Sequence, residues 1–409
     1  MLSIGLMSGT SMDGIDAALI ETDGTPGGLS VLGHCSLEYD PNFKILLKAA
    51  EHSVRQHPEE TLQQLGKAWV PRLNRGRTNE HCGVTEQDLD LASIIEQSTA
   101  LHAIVVQDLL KKTNRRPEDI GVIGYHGQTL YHQPDRGISI IVGNGQDLAN
   151  SLKIPVIYDF RRQDIAAGGQ GAPFAPIYHQ ALAVRDNRLP LAVVNCGGIA
   201  NVTFIPNADP EQLIGFDTGP GNALLDQLVK QRTQGKEAYD KDGQYGRHGR
   251  VDERCITLLF ETASIKTGES YFDKKPPKSL DYGDFTLIPA LQALSLPDAC
   301  RTLAAFTAAS IVNSIIFIEP TDNAAPAHWV LAGGGWKNPV IVEEFTTRLN
   351  KRLGPETQVW HADQIGWSGQ YMEAELFAYL AVRSLQQMPI SFPGTTRVPF
   401  PMTGGYLYE

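Results

Sequence analysis

Two aspartates stand in a polar, glycine-bearing stretch close to the start of the chain. The stretch "GLMSGTSMDGID", residues 5 to 16, lies between two apolar runs and surrounds Asp13 and Asp16 with glycine, serine and threonine. Such a turn lets backbone N–H groups approach phosphate oxygens, because no side chain blocks them. Carboxylates repel phosphate, so one of the two acids would have to hold Mg²⁺, directly or through water. A hairpin with Asp and Gly in ordinary turn positions explains the same residues without a ligand.

A second stretch, "VVNCGGIANVT", has the same layout of apolar strand, glycine-bearing turn and apolar strand, with Gly197 and Gly198 in the turn. Gly-Gly alone is a common turn dipeptide. Two similar hairpins in one chain predict that each directs a polar turn at the same polyphosphate. The chain contains no G-x-x-x-x-G-K-[ST] motif, and these glycines do not open a helix, so neither a P-loop nor a Rossmann site is predicted.

A third glycine cluster, "LAGGGWKNP" at 331 to 339, lies between a predicted strand and a predicted helix. Bare backbone at Gly333 and Gly334 could lie flat against a nucleoside, although a tight strand-to-helix turn has the same composition.

Candidate groups for chemistry follow two further apolar runs. "DFRRQDIAAGGQGAP" and "GFDTGPGN" each place acids beside glycines, and these stretches supply Asp159, Arg161, Arg162, Asp164 and Asp217. An Asp directly after a buried strand stands where it can meet a small substrate, whereas a solvated turn or a helix cap is its alternative role. "GYHGQTLYHQP" sets His126 and His132 six apart with no third ligand nearby, which favours hydrogen-bonded histidines or a substrate contact in a loop over metal ligation.

Composition limits the class of protein. The 409 residues exceed the roughly 250 to 300 at which one core stops growing, so two domains are expected. A net charge of −11 disfavours nucleic acid and anionic membranes as partners. Five cysteines without a C-x-x-C pair indicate reduced thiols in a cytoplasm. No signal peptide is readable, and the apolar run at 304 to 318 is predicted to be a buried helix.

The order of elements predicts two α/β halves. Strands are expected at 2–7, 15–22 and 29–38, followed by a helix at 88–112 and further strands. A second series of β elements begins after the glycine-rich 160–176. We therefore predict an N-terminal domain over 1–160 and a C-terminal domain over 161–367, followed by a helix over 368–388 and a tail over 389–409.

Taken together, the blocks "GLMSGTSMDGID", "HGQT", "DFR", "D-x-A-A-G-G-Q-G-A-P", "N-x-G-G-I-A-N" and "F-D-T-G-P-G-N" resemble the anhydro-N-acetylmuramic acid kinase family, in the same order over nearly the whole chain. The resemblance implies the sugar kinase, Hsp70 and actin superfamily, with two related actin-like (ribonuclease H-like) α/β domains around an ATP cleft. In that superfamily the last helix often returns to the first domain. It also implies ATP, Mg²⁺ and a small-molecule substrate in the cytoplasm, and it allows a homodimer.

The family reaction starts from an ether, because O6 of the 1,6-anhydro sugar bridges to C1 and offers no hydroxyl. If water attacks C1 while O6 departs toward the γ-phosphorus, one event is both an inverting hydrolysis and a phosphoryl transfer. By resemblance the base that activates the water is Asp217. Sugar positioning is assigned to Arg162, Asp164 and Glu373, since an arginine suits the lactyl carboxylate.

By the same resemblance the expected nucleotide contacts come from the three glycine-bearing stretches: Gly9, Thr10, Ser11, Met12, Asp13, Gly14, Ile15, Asp16, Gly197, Gly198, Gly333, Gly334 and Asn338.

The chain departs from the family after "PPKS", where Leu280, Asp281 and Tyr282 replace Thr-Gly-Arg. The lysines of that loop, Lys274, Lys275 and Lys278, are therefore predicted to be solvated rather than to bind phosphate. Two other hypotheses stay open: a superfamily kinase for another sugar or a carboxylic acid, and a non-metabolic actin- or Hsp70-like ATPase.

Overall fold

Apolar and β-branched residues at the N terminus form three strands, β1 (Leu2–Ser8), β2 (Gly14–Thr22) and β3 (Leu29–Glu38), in an antiparallel meander. The predicted strands are confirmed within one residue. The coordinates are a computed structural model that describes residues 1–9, 11–66, 90–262, 270–280, 284–318 and 325–409.

Contacts divide the chain into two units, one of residues 1–181 with 371–409 and the other of residues 182–370. The sheet of unit 1 has the order β12-β6-β4-β1-β2-β3, with β5 also paired to β4. Its later strands are β4 (Val122–Gln133), β5 (Ile138–Val142), β6 (Val156–Tyr158) and β12 (Tyr406–Tyr408). Strands β4 and β6 run parallel to β1.

Unit 2 repeats this order. Its strands are β7 (Leu191–Cys196), β8 (Ile199–Ile205), β9 (Ile214–Pro220), β10 (His328–Ala332) and β11 (Gln358–His361). The order is β11-β10-β7-β8-β9, again an antiparallel meander beside two parallel strands. The matching orders β6-β4-β1-β2-β3 and β11-β10-β7-β8-β9 confirm the prediction of two related actin-like α/β domains.

Helices cover the sheets. In unit 1 they are α1 (Pro41–Gln56), α2 (Pro58–Gly66), α3 (Leu91–Lys112), α4 (Gly145–Leu152), α5 (Arg161–Ala166), α11 (Met372–Leu385) and α12 (Pro393–Thr396). In unit 2 they are α7 (Ala223–Arg232), α8 (Glu253–Thr262), α9 (Leu296–Asn313) and α10 (Pro339–Leu353). Helix α6 (Ala175–Arg185) crosses the boundary.

Helix α11 belongs to unit 1 because it lies directly on the centre of that sheet. A Cβ added to Gly5 would collide with the carbonyl oxygen of Ala374, and one added to Gly124 would collide with that of Phe377. The hydroxyl of Ser3 also donates to the carbonyl of Ala378 at 2.9 Å. Glycine at two neighbouring strand positions therefore lets the helix approach the strands closely.

The predicted domain boundary at 160/161 is corrected to 181/182. Residues after 160 bond to unit 1: the backbone N–H of Gln170 donates to Thr396 O at 2.6 Å, and the Tyr178 hydroxyl donates to Glu375 Oε2 at 2.7 Å. The glycine-rich 160–176 looks like a linker in composition, but its hydrogen bonds make it part of the first unit. The tail over 389–409 is ordered and ends in β12, which pairs with β6.

Helix α9 with the turn after it, Leu296–Phe317, is long and apolar enough by length and composition to cross a membrane. Most of it is buried inside unit 2, including small residues such as Ala304 and Ala308. The buried helix predicted at 304–318 is therefore confirmed, and burial in a protein core explains its composition.

Candidate functional site

The first glycine-bearing hairpin joins β1 and β2 and presents a mixed set of groups. Ser11 and Asp13 are exposed at its tip, whereas the side chains of Met12 and Ile15 are each 1% exposed in the core. Met12 and Ile15 could therefore meet a nucleotide through their backbone atoms. The predicted contact Thr10 lies outside the described residues.

One side chain from outside the hairpin, Gln128, and one within it, Ser8, hold its first half. Gln128 Nε2 donates to the carbonyl of Gly9 at 2.9 Å, and the hydroxyl of Ser8 donates to the carbonyl of Gly127 at 2.9 Å. The turn itself is closed by the backbone N–H of Met12, which donates to Gly9 O at 3.0 Å. Gly127 and Gln128 are the centre of "HGQT", so this block supports the hairpin.

The glycines of this hairpin serve different purposes. A Cβ added to Gly9 would meet only Ser11 Oγ, at 3.7 Å, so the backbone there is open to an incoming ligand. A Cβ added to Gly14 would collide with the carbonyl oxygen of Leu37 on β3. Of these two predicted contacts, Gly9 suits phosphate binding. At Gly14 the neighbouring strand leaves no room for a side chain.

The two acids of the hairpin have different surroundings. Asp16 accepts a hydrogen bond from Ser36 Oγ at 2.7 Å, and that hydroxyl also lies 2.8 Å from the Tyr371 hydroxyl. Asp13 is largely exposed and lies 3.3 Å from Lys44 Nζ. Among the described residues no group of three His, Cys, Asp or Glu side chains could hold a metal ion. This donor set fits Mg²⁺ that takes one carboxylate and fills its other positions with water and phosphate oxygens.

The second hairpin, between β7 and β8, is held by backbone hydrogen bonds. The N–H groups of Gly221 and Asn222 donate to the carbonyls of Gly198 and Gly197, each at 2.8 Å. A Cβ on Gly221 would collide with Gly197 O, whereas one on Gly197 would meet only Ile199 O at 3.9 Å. Gly197 therefore offers open backbone, and Gly221 is a packing glycine that sequence reasoning did not separate from it.

The triple glycine after β10 also divides into packing and open positions. Gly333 has φ +93°, and a Cβ there would overlap the side-chain oxygen of Asn195. Gly335 is packed against the Cys196 thiol, whose pKa burial raises to about 12. Gly334 is exposed, and a Cβ there would meet nothing. Gly334 is thus the position of this turn that best suits contact with a nucleoside.

Asn338, predicted as a nucleotide contact, has a structural role. Its side-chain oxygen accepts from the backbone N–H of Val340 at 3.0 Å, which caps the start of α10. Its side-chain amide lies 3.3 Å from the carbonyl of Asp240 and donates to it. The side chain is therefore engaged at both ends.

Asp217 lies on β9 and is fixed at its main chain and its carboxylate. Oδ2 accepts from the backbone N–H of Leu280 at 2.9 Å, and the Asp217 N–H donates to Lys278 O at 3.0 Å. The Tyr271 hydroxyl donates to the carbonyl of Asp217 at 2.6 Å. Asn201 of β8 stands directly opposite Asp217, next to a local register shift of the ladder.

The predicted sugar-positioning residues all lie in unit 1, but they differ in exposure and in hydrogen-bond partners. Arg162 is exposed, forms an ion pair with Asp159 at 2.6 Å and lies over the Tyr406 ring. Asp164 is 1% exposed, and its Oδ1 accepts from the backbone N–H of Gly171 at 2.6 Å. Asp164 therefore shapes the 161–171 segment through Oδ1, and its contact with a substrate stays a prediction.

Glu373 is exposed at the start of α11, and Arg161 faces it. Desolvation by the surrounding protein raises the pKa of the Glu373 carboxyl, Arg161 opposes the rise, and Asp16 adds to it. Arg161 donates to Gly171 O at 2.6 Å and lies 2.9 Å from His126 Nε2. Desolvation lowers the pKa of Arg161 to about 10, and the charge of Glu373 counteracts this. In the sequence Arg161 and Arg162 are adjacent, and nothing there distinguishes the role of one from that of the other.

The two histidines are hydrogen-bonded side chains, as predicted. His132 lies 3.2 Å from Ser139 Oγ and 3.0 Å from Gln170 O. Burial, with Arg161 nearby, lowers the pKa of His132 to about 3 and that of His126 well below its usual value.

In the lysine-rich loop, one of the three lysines predicted to be solvated is buried. Lys274 and Lys275 are exposed, as expected, but Lys278 is only 6% exposed. The prediction of a solvated Lys278 is wrong because aromatic rings close over it, and burial lowers the pKa of its ammonium to about 8. The composition "KKPPKS" carries no signal of those rings, since Tyr271 lies outside that stretch and Phe317 comes from a distant segment.

Comparison with known proteins decides the family. The family model for anhydro-N-acetylmuramic acid kinase matches residues 47–409. The chain belongs to the anhydro-N-acetylmuramic acid kinase family. A relative of that name from Nitrobacter winogradskyi is 40% identical over 99% of this chain and 98% of its own length. Another from Azorhizobium caulinodans is 40% identical over 100% and 99%.

Among solved structures, a ROK family glucokinase from Streptomyces griseus in complex with glucose and AMPPNP gives a TM-score of 0.42 at 13% identity, covering 93% of this chain and 99% of that one. A similarity this low leaves the family assignment to the sequence relatives.

Proposed function

We propose that this chain uses ATP and water to open the ring of 1,6-anhydro-N-acetylmuramic acid and to phosphorylate O6. The products are N-acetylmuramic acid 6-phosphate and ADP, and the setting is peptidoglycan recycling. The observation that carries the proposal is the family match over residues 47–409, together with full-length relatives at about 40% identity. This match disfavours a kinase for another substrate and a non-metabolic actin- or Hsp70-like ATPase.

Asp217 is the proposed general base. Its carboxylate takes a proton from water as the water oxygen bonds to C1, the C1–O6 bond breaks, and O6 bonds to the γ-phosphorus with release of ADP. A base must keep one orientation toward its water, and the N–H of Leu280 on Oδ2 at 2.9 Å supports such an orientation. Attack opposite the departing O6 inverts C1.

Both glycine-bearing hairpins are proposed to bind the nucleotide. The open backbone at Gly9 and Gly197 suits phosphate oxygens, and the exposed Gly334 suits the nucleoside. Ser11 adds a hydroxyl donor at the exposed tip of the first hairpin. Mg²⁺ would neutralise phosphate charge, and Asp13 or Asp16 would hold it directly or through water.

On the sugar, Glu373 and Arg162 are the proposed contacts. Glu373 is exposed beside Asp16 and Arg161, where its carboxylate could accept from sugar hydroxyls. Arg162 presents an exposed guanidinium that suits the lactyl carboxylate, provided that its ion pair with Asp159 opens. Four free cysteines among the described residues agree with the proposed cytoplasmic location.

ADP release measured against a panel of sugars tests the proposal. We expect turnover with 1,6-anhydro-N-acetylmuramic acid, and little with glucose, N-acetylmannosamine or acetate. Activity on another panel member alone would favour the superfamily-kinase hypothesis, and ADP release without any acceptor would favour the ATPase. In ¹⁸O-labelled water the label should appear at C1 of the product, and its absence would exclude attack of water there.

A further inference from the structure

Residues 270–280, called the strap below, surround Asp217 with three hydrogen bonds. Two come from the C-terminal end of the strap, through Lys278 O and the Leu280 N–H, at 3.0 and 2.9 Å. The third comes from its N-terminal end, where the Tyr271 hydroxyl donates to Asp217 O at 2.6 Å. Both ends of the strap must therefore keep their places for Asp217 to keep its orientation.

The Lys278 ammonium joins those two ends. It donates to the carbonyls of Tyr271 at 3.0 Å and Phe272 at 3.4 Å, seven and six residues earlier in the chain. Three rings surround it, with centroids at 4.4 Å for Phe317, 4.6 Å for Tyr271 and 5.5 Å for Phe216, the neighbour of Asp217 on β9. Cation–π attraction requires the positive charge, and the same charge strengthens the hydrogen bonds to the carbonyls.

A purely structural explanation accounts poorly for a lysine at this place. Burial of an ammonium is costly, and an uncharged side chain of similar length would fill an aromatic pocket at lower cost. Among the described residues Lys278 takes part in no salt bridge; the charge of Asp273 acts on it, and its direct contacts are carbonyls and ring faces. What the charge adds is a directed link between the Tyr271–Phe272 backbone and the 278–280 segment.

We propose that Lys278 is a positioning residue for the reaction. Its ammonium holds the two ends of the strap together, so that Tyr271 and Leu280 keep the Asp217 carboxylate oriented toward its water. The proposal rests on Asp217 being the base, as proposed above. Lys278 itself touches neither substrate nor phosphate in this role.

The test compares Lys278→Met with the matched control Lys275→Met, an exposed lysine in the same loop. Misplacement of a catalytic group by about 1 Å costs up to about 10²-fold in rate. We therefore expect Lys278→Met to lower kcat by about 10- to 100-fold with KM for ATP and sugar nearly unchanged, while Lys275→Met behaves as the parent. Tyr271→Phe removes only the hydroxyl, and we expect about a fivefold loss of kcat in a folded protein whose Tm falls only slightly, as the loss of one hydrogen bond allows.

The same substitutions in the Asp217→Asn background separate the two proposals. If Lys278 acts through Asp217, then Lys278→Met lowers the residual turnover of Asp217→Asn no further. Full kcat in Lys278→Met beside an inactive Asp217→Asn overturns the positioning role alone, and so does an equal loss in both backgrounds. Normal turnover in Asp217→Asn overturns the base assignment and the positioning role with it. If Lys278→Met does not fold, Tyr271→Phe decides, and full activity there overturns the proposal.

Discussion

In each sheet a carboxylate belongs to a residue pair between the second and third strands of the meander. The carboxylate is on the second strand in unit 1 and on the third strand in unit 2. In unit 1, Asp16 on the second strand of the meander stands opposite Ser36 on the third. In unit 2, Asn201 on the second strand stands opposite Asp217 on the third. The same topology thus carries an acid beside a glycine-bearing turn in unit 1 and an acid held by a separate strap in unit 2. The comparison indicates that the repeated fold fixes positions, whereas the residue at each position decides its chemistry.

The supports of the two hairpins differ in the same way. In unit 1 the side chains of Gln128 and Ser8 brace the hairpin, whereas in unit 2 backbone bonds from Gly221 and Asn222 do so. A side-chain brace can be removed by a single substitution, but a backbone brace can be disturbed only by adding atoms. The predictions below use this difference.

The largest expected effect separates the two acids. Asp217→Asn removes a general base and should lower kcat by about 10² to 10⁴, with nucleotide binding intact. Asp16→Asn should act mainly by raising KM for the magnesium–ATP complex, since a ligand or outer-sphere partner of Mg²⁺ is lost. Steady-state kinetics with titrated Mg²⁺ and ATP distinguishes the two. Equal loss of kcat with unchanged KM in both variants would show that the acids share one task.

The second prediction concerns packing glycines and open glycines. Gly14→Ala and Gly221→Ala should lower the free energy of unfolding by about 1–3 kcal/mol, because the added methyl collides with a carbonyl oxygen. Gly9→Ala and Gly197→Ala meet no such atom, so Tm should hold while KM for ATP rises. Thermal melts and kinetics of the four variants check this. A stable, fully active Gly221→Ala would contradict it.

The third prediction contrasts the acid sensitivity of the units. In unit 1 burial lowers the pKa of His102 to about 4, against a usual value of 6.5. The unfolded chain binds that proton below pH 6.5 and the folded chain does so only near 4. The stability from neutral His102 is therefore present above 6.5 and lost as pH falls through this window, at up to about 1.4 kcal/mol per pH unit.

Hydrogen exchange at pH 7 and pH 5 measures this effect. Amides of β4 in unit 1 should lose protection at pH 5 more than amides of β9 in unit 2. The exposed His52 serves as the control, since His52→Gln should leave the pH profile unchanged. Equal loss in both units would refute the assignment to buried histidines.

The smallest effect tests the side-chain brace. Gln128→Ala removes the hydrogen bond to Gly9 O and should cost about 1 kcal/mol of stability. The first hairpin would then be less ordered before the nucleotide binds, so KM for ATP should rise with kcat little changed. Gln133→Ala, at the partly exposed end of the same strand, is the control. An unchanged KM in Gln128→Ala would mean that the brace serves only the fold.

Much of this architecture is readable from sequence, because it depends on local pattern. Alternating apolar residues and glycine-bearing turns predicted the strands 2–7, 15–22 and 29–38, and helical spacing predicted the buried α9. The domain boundary was placed 21 residues too early, since composition cannot show that Gln170 bonds to Thr396. Roles proposed for single residues, such as Asp217 and Glu373, remain predictions.

The sequence by itself determined the family through its motif blocks, and it predicted the two α/β units and the glycine-bearing turns, because glycine spacing and apolar periodicity are properties of neighbouring residues. Only the tertiary structure decided which glycines are open, that Asp164 is buried, and that Lys278 is enclosed by rings. Those outcomes depend on atoms from segments distant in the chain, such as Phe317 beside Lys278. The order of residues along the chain does not show which distant segments come into contact.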